Sequence, residues 1–163
     1  MGRGAAGVGA ARPFAATANV VLRVGGRPVF VDVDLTTRNI DLRLAEAAIT
    51  PRTRAIMPVH FAGLPVDMDA LYALAERRGL RVIEDAAHAI GSSHRGRRIG
   101  SFGDLIAFSF HPNKNLTPIE GGALSIRDPA EVDLVERLRF HGIQRGDSGA
   151  MDILEAGGKY NLT

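Results

Sequence analysis

The sequence predicts an α/β domain with a mostly parallel sheet and helices on both of its faces. Short apolar runs rich in β-branched residues alternate along the chain with segments that have helical spacing. Each run is apolar nearly throughout, which is typical of parallel strands that are covered on both faces. The length of 163 residues is that of a single domain.

The first half of the chain is predicted to contain three helices and two strands. Residues 15–24 are predicted to form a helix that stops at two glycines. Pro28–Val33 is a β-branched strand that ends among acidic residues. Asp41–Ile49 begins with an N-capping aspartate and keeps helical spacing until a proline follows. Ala55–Val59 is a second apolar strand, and Asp67–Arg78 is an amphipathic helix with a glycine after it.

The second half of the chain is predicted to contain three strands and one helix. Leu80–Ile83, Leu105–Phe110 and Ala123–Ile126 are the strands. Pro129–Phe140 is the helix, with a proline in its first turn. Residues 1–12 contain no acidic residue and show no apolar periodicity, so we expect a flexible or misassigned leader there.

Composition and charge exclude several classes of protein. A net charge of +2 is too small a surplus to indicate a nucleic-acid partner. The chain has no cysteine, which excludes disulfides, thiolate metal sites and cysteine nucleophiles. No apolar run approaches the roughly 18 residues that a membrane-spanning helix needs. We therefore expect a soluble, cytoplasmic protein with neither a nucleic-acid nor a membrane partner.

Polar residues follow two of the predicted strands directly. Asp85 and His88 follow Leu80–Ile83, whereas Ser109 and Lys114 lie at the end of Leu105–Phe110 and just beyond it. Ligands of parallel sheets bind beyond the carboxyl ends of the strands. Pyridoxal phosphate needs a lysine amine, a carboxylate facing its ring nitrogen and donors for its phosphate. These residue types favour that cofactor at this edge of the sheet.

Each of these residues also has an ordinary structural explanation. Asp85 could cap a helix that begins at Ala86, and His88 could be a hydrogen-bonded core histidine. Ser109 could bind only backbone, and a lysine at a strand end is most often a solvated surface charge. The other histidines lack the spacing typical of metal ligands, so we predict no metal site. The basic residues 95–98 are predicted to form the turn of a solvent-exposed hairpin.

Several segments in order resemble the DegT/DnrJ/EryC1/StrS sugar aminotransferases, a branch of the fold-type I pyridoxal phosphate enzymes. The matching segments include EDAAHA, FSFHPNKN and KYNLT, and together they span residues 13–34, 48–71, 82–104, 108–126, 138–143 and 157–163. The resemblance implies the large, cofactor-binding domain over residues 13–163, incomplete at both ends and without the small C-terminal domain. It also implies pyridoxal 5'-phosphate as cofactor and a homodimer for the full-length family.

The resemblance assigns roles by position. Lys114 in HPNKN would form the Schiff base with the cofactor and carry protons between the two halves of the reaction. Asp85 in EDAAHA would pair with the pyridine nitrogen, and His88 would lie near the cofactor ring and its 3-hydroxyl. Ser109 in FSF would bind the phosphate.

Three further residues are assigned by the same resemblance. Phe14 falls where the family often has an aromatic residue that stacks on the cofactor ring. Lys159 and Asn161 lie in the segment that reaches the neighbouring subunit's site in relatives, and Asn161 is the cofactor-binding residue expected there.

The function implied is amino transfer from an amino acid, with glutamate as the expected donor, to a nucleotide-linked keto sugar. Such products serve cell-surface polysaccharides or secondary metabolites. The pair EDAAHA and KYNLT is most similar to members that aminate the 4-keto position, as in UDP-4-amino-4-deoxy-L-arabinose synthesis.

Two alternatives stay open. Sugar dehydratases of the family carry histidine in place of the Schiff-base lysine, and Lys114 is present here. A truncated, inactive fragment is the other, and for the chain alone we expect impaired folding and little activity.

Overall fold

The computed structural model describes residues 5–10, 15–116, 120–145 and 151–160. Within these residues, the strands are β1 (Ala6–Ala10), β2 (Arg27–Val31), β3 (Thr53–Met57), β4 (Arg81–Asp85), β5 (Ser93–His94), β6 (Arg97–Arg98), β7 (Leu105–Ser109), β8 (Gly122–Ile126), β9 (Ile143–Arg145) and β10 (Met151–Ile153). The helices are α1 (Ala15–Arg23), α2 (Leu42–Ala48), α3 (Met68–Arg78) and α4 (Pro129–Leu138), with a short 3-10 turn at Phe61–Gly63.

The central sheet has six strands in the order β2-β1-β3-β4-β7-β8. Its first four pairings are parallel, and only the pairing of β7 with β8 is antiparallel. The predicted α/β class with a mostly parallel sheet is therefore confirmed. Two small antiparallel pairs, β5 with β6 and β9 with β10, stand outside this sheet.

Helices cover both faces of the sheet, as predicted. Val8, Ile56 and Val82 lie side by side on one face and pack with the apolar side chains of α2 and α3. On the opposite face, Val21 of α1 lies over Gly7, where an added Cβ would meet the valine at 3.7 Å. None of the helices in the described part of the chain is long and apolar enough to cross a membrane.

The ends of the predicted helices follow from local hydrogen bonds. The Asp41 carboxylate accepts from the backbone N–H groups at the start of α2, and Asp67 does the same for α3. Gly79 ends α3 with a φ of +62°, a conformation that glycine adopts without strain. Both helices therefore begin, and α3 also ends, where capping chemistry predicts.

Several strand and helix ends differ from the prediction. β4 continues through Asp85 because Glu84 and Asp85 still pair with Ile106 and Ala107 of β7. The hydrogen-bonded pairing of the two strands continues past the first acidic residue, whereas the apolar pattern from which the strand was predicted ends there. β3 begins earlier and ends earlier than the predicted Ala55–Val59, and α4 ends two residues before Phe140. The hairpin predicted around residues 95–98 is confirmed by β5 and β6.

The expectation of a leader at residues 1–12 is wrong for Ala6–Ala10. These residues form β1, which pairs in parallel with β2 on one side and with β3 on the other. Val8 is fully buried. The segment AGVGA has little β-propensity of its own, so its conformation is set by the two neighbouring strands rather than by its local sequence.

A charge placed in β1 tests whether this strand belongs to the core. Val8→Asp should lower the free energy of unfolding by more than about 3 kcal/mol, because it buries an unpaired carboxylate. Val24→Asp makes the same chemical change at an exposed position and should have little effect. Urea unfolding followed by circular dichroism measures both, and equal midpoints for the two variants would contradict the position of β1.

Candidate active site

The predicted site residues gather at the carboxyl ends of β4 and β7. Asp85 is the last residue of β4 and stands opposite Ala107 of β7. Ser109 lies two residues further along β7, so its side chain points to the same face of the sheet as that of Asp85. Asp85, Ser109, His88 and Lys114 are all half-buried. The fold therefore brings the four together at one edge, as the sequence predicts.

Two donors from the protein hold the Asp85 carboxylate. The Thr17 hydroxyl of α1 donates to Oδ2 at 2.9 Å, and the backbone N–H of Ala87 donates to Oδ1 at 3.1 Å. Each carboxylate oxygen has two lone pairs, so both can accept another donor. Residues 86–92 form turns, and the alternative in which Asp85 caps a helix is therefore wrong.

The loops after β4 and β7 are joined by two hydrogen-bonding contacts. Lys114 Nζ lies 3.0 Å from His88 Nε2. When Lys114 is an ammonium, which has donors only, His88 Nε2 is the acceptor of this hydrogen bond. The Asn115 amide donates to the backbone oxygen of His88 at 3.1 Å. The imidazole is thereby held against the amine of the expected Schiff-base lysine.

The Ser109 hydroxyl faces the turn that carries Lys114. Its oxygen accepts the backbone N–H of His111 at 3.3 Å, which leaves the hydroxyl proton available for another acceptor. The same turn is closed by a hydrogen bond from the Lys114 N–H to the His111 oxygen at 2.8 Å. A tight turn thus places a hydroxyl donor and an amine within one short stretch of chain.

Two predicted cofactor residues, Phe14 and Asn161, lie outside the described residues. Lys159 is exposed, and its backbone forms a bridge with Phe140. Asp67, Asp69 and His94 bring one potential ligand atom each within 4.8 Å of one another on the surface. Asp67 caps α3 and Asp69 forms an ion pair with an arginine, so both carboxylates already have partners in the protein.

Sequence reasoning missed Thr17 and Asn115. Both belong to segments that were recognised, but each acts on a residue far away in sequence: Thr17 is 68 positions from Asp85, and Asn115 is 27 from His88. A threonine in an apolar helix predicts only a polar side chain, so no signal in one sequence identifies its partner.

The donor set fits pyridoxal phosphate. A half-buried carboxylate with unused lone pairs suits the ring N–H, and a lysine amine hydrogen-bonded to an imidazole suits bond formation to an aldehyde. A cleft of about 1190 Å³ lies elsewhere, between α3 and β7, and contains none of the predicted site residues. The residues that suit the cofactor therefore lie at the carboxyl edge of the strands, outside this cleft.

Residues 2–163 match the DegT/DnrJ/EryC1/StrS aminotransferase family, and the chain belongs to this family. The match begins well before Phe14 and includes β1. Residues 2–12, over which a leader was expected, therefore fall within the match to the family.

Three solved structures illustrate the similarity. DesV from S. venezuelae is 40% identical with a TM-score of 0.91, and the alignment covers 99% of this chain and 43% of that one. Spr1654 from Streptococcus pneumoniae, described as a sugar aminotransferase and solved in its PLP form, is 31% identical with a TM-score of 0.90, covering 99% and 46%. PseC from Helicobacter pylori, an aminotransferase of pseudoaminic acid biosynthesis, is 30% identical with a TM-score of 0.93, covering 99% and 43%. The chain thus spans less than half the length of these proteins.

Removing the Thr17 hydroxyl tests its role at Asp85. Thr17→Val keeps the shape of the side chain but deletes the donor, so we expect the dissociation constant for pyridoxal phosphate to rise about tenfold. Thr17→Ser retains the hydroxyl and should bind as the unmodified chain does. Absorbance titration measures both variants. If the valine variant binds as tightly as the serine variant, the hydroxyl does not orient the carboxylate.

Proposed function

We propose that this protein is a pyridoxal phosphate-dependent aminotransferase that moves an amino group from an amino acid, glutamate above all, to a nucleotide-linked keto sugar. The observation that carries the proposal is the 3.0 Å contact between Lys114 Nζ and His88 Nε2, which joins the loops after β7 and β4, together with Asp85 as the last residue of β4. When bound, the cofactor supplies an electron sink that stabilises negative charge on the substrate carbon. The residues of the chain bind it and move the proton.

Asp85 is the residue that faces the ring nitrogen in this proposal. Its carboxylate accepts the ring N–H and keeps the ring protonated, which raises its capacity to withdraw electrons. The hydrogen bonds from Thr17 and Ala87 fix the orientation of the carboxylate in advance. No reorientation is then needed when the cofactor arrives.

Lys114 is the nucleophile and afterwards the group that carries the proton. Its amine must be uncharged to attack an aldehyde carbon. His88 Nε2 accepts a proton from it along the existing hydrogen bond and so frees the amine. The same Lys114 amine would then accept the proton that leaves the Cα of the amino donor and hold it for its return during the reaction.

The remaining roles concern binding. Ser109 donates its hydroxyl proton to the phosphate, Phe14 stacks on the ring, and Asn161 contributes from the neighbouring subunit of a homodimer. These assignments rest on the family's motif. A sugar as acceptor is supported by the similarity to Spr1654, described as a sugar aminotransferase, and to PseC of pseudoaminic acid biosynthesis, whereas its nucleotide rests on the resemblance to the family.

The two lysines of the chain allow a direct test of the cofactor link. Lys114 and Lys159 are the only lysines in the sequence. Incubation with pyridoxal phosphate and reduction with borohydride should fix one cofactor to Lys114, visible by absorbance and by peptide mass. Lys114→Ala should lose the adduct, whereas Lys159→Ala, the matched control, should keep it.

A failure of this test has a definite meaning. An adduct that persists in Lys114→Ala, or the absence of any adduct, would leave the inactive fragment as the better description. An adduct together with a deoxygenated keto product and no amine transfer would instead indicate the dehydratase reaction.

A second test separates binding from proton transfer. His88→Leu removes the acceptor next to Lys114 and should lower kcat for the conversion of glutamate by about 100-fold, the ordinary contribution of a positioned base. KM should change little, because the substrate does not lose a binding partner. His88→Gln offers an amide oxygen to the amine and should retain more of the rate. Equal kcat in all three proteins would exclude His88 from the proton path.

A further inference from the structure

A second polar cluster is buried on the other face of β4, away from the cofactor residues. His60 and Glu84 are both fully buried, with His60 Nε2 2.8 Å from Glu84 Oε2. Tyr72 of α3 donates its hydroxyl to Glu84 Oε1 at 2.6 Å. The backbone N–H of Asp104 in turn donates to the Tyr72 oxygen at 2.7 Å. We call His60, Glu84 and Tyr72 the buried triad.

The hydrogen bonds determine the tautomer of His60. The backbone N–H of Val66 donates to His60 Nδ1 at 3.2 Å, so Nδ1 is an acceptor and carries no proton. The proton is therefore on Nε2, which donates to Glu84. Burial, and then the Glu84 carboxylate, raises the pKa of Tyr72, so its hydroxyl stays a donor at neutral pH. Both Glu84 oxygens thus accept a hydrogen bond.

The triad is tied to the backbone of Asp85 at the end of β4 and of His88 in the loop that follows. His60 lies three residues beyond the end of β3, and its N–H donates to the Asp85 oxygen at 3.0 Å. The 3-10 turn that follows His60 ends at Gly63, whose oxygen accepts the Ser92 hydroxyl at 2.7 Å. A Cβ on Gly63 would come within 3.0 Å of the His88 oxygen. The turn held by His60 therefore supports the loop that carries His88.

Gly103 closes the backbone over the triad. Its φ of +109° lies in the region that favours glycine, and an added Cβ would come within 2.5 Å of Glu84 Oε1 and 2.7 Å of the Tyr72 hydroxyl. Gly103 therefore packs closely on Glu84 and Tyr72, while the half-buried Tyr72 also lines the cleft between α3 and β7. A buried hydrogen-bonded group fixes geometry but contributes little net stability in comparison with apolar packing.

We propose that the buried triad is a positioning device for the cofactor. It fixes the segment that follows β3 against the end of β4, and through that segment it orients the carboxylate of Asp85 and the imidazole of His88. The triad residues touch no reacting atom and are not catalytic residues. This inference rests on the proposed function, because it gives the triad a role toward the cofactor site. It adds residues from the opposite face of the sheet, which the proposed function does not use.

Two variants disturb the triad in different ways. Tyr72→Phe removes one donor to Glu84 and keeps the ring. Gly103→Ala pushes a methyl group into Glu84 and Tyr72. The matched control is Gly79→Ala, which also introduces alanine at a positive φ but meets no atom within 4 Å. It strains the backbone of the same region of the fold without touching the triad.

Two readouts are compared in the three variants. The first is the NMR spectrum of the His88 ring in the cofactor-free chain, and the second is the dissociation constant for pyridoxal phosphate. We expect Tyr72→Phe and Gly103→Ala to shift or broaden the His88 signals and to raise the dissociation constant about tenfold, as is usual for outer hydrogen-bond partners. Gly79→Ala should change neither, even when its loss of thermal stability is equal.

The outcomes separate this inference from the proposed function. If the triad variants lose stability while the His88 signals and the dissociation constant stay unchanged, the triad is structural only and the inference is overturned. The inference is also overturned if Gly79→Ala changes the His88 signals and the dissociation constant as much as the triad variants do. If the unmodified chain binds no cofactor through Lys114, the proposed function fails, but the His88 signals still decide whether the triad positions that residue. If Gly103→Ala does not fold, Tyr72→Phe decides alone.

Discussion

The parallel pairing of β4 with β7 is the constraint on which the rest of the site depends. Two strands that are 20 positions apart in sequence end at the same edge, so Asp85 stands beside Ala107 and the two following loops meet. The contact of Lys114 with His88, and that of Asn115 with the His88 backbone, are consequences of this meeting. Successive side chains of a strand point to opposite faces of the sheet, so Glu84 and Asp85 lie on different faces of β4. The same strand therefore contributes Asp85 to the cofactor edge and Glu84 to the buried core.

Much of this could be predicted from the sequence because its signals are local. Asp41, Asp67 and Gly79 mark helix ends through hydrogen bonds or backbone conformations that involve only nearby residues. Asp85 and Lys114 follow apolar runs, and the geometry of parallel sheets brings such positions to one edge. The family motif added their chemical roles, which spacing alone does not provide. In these cases the physical cause lies within about one turn or one strand of the residue.

The features that escaped prediction depend on contacts across the fold. Ala6–Ala10 has the composition of a linker and becomes a strand because β2 and β3 offer it hydrogen-bonding edges on both sides. Thr17 and His60 are ordinary residues until α1 and the exit of β3 bring them to Asp85 and Glu84. No periodic pattern of apolar residues in the sequence indicates that such residues form a pair. Sequence therefore predicts elements and candidate groups here, whereas the orientation of those groups comes from the tertiary structure.

The position of β1 in the sheet has a consequence for biosynthesis. Ala6–Ala10 leaves the ribosome before both of its neighbours, β2 and β3, and β3 is not complete until Met57 has been added. A segment of alanine, glycine and valine cannot hold an extended shape by itself during that interval. β1 can therefore take its place between β2 and β3 only after both of these neighbours, which are synthesised later, have emerged, and the pairing at the cofactor edge waits longer still, until β7 is complete at Ser109.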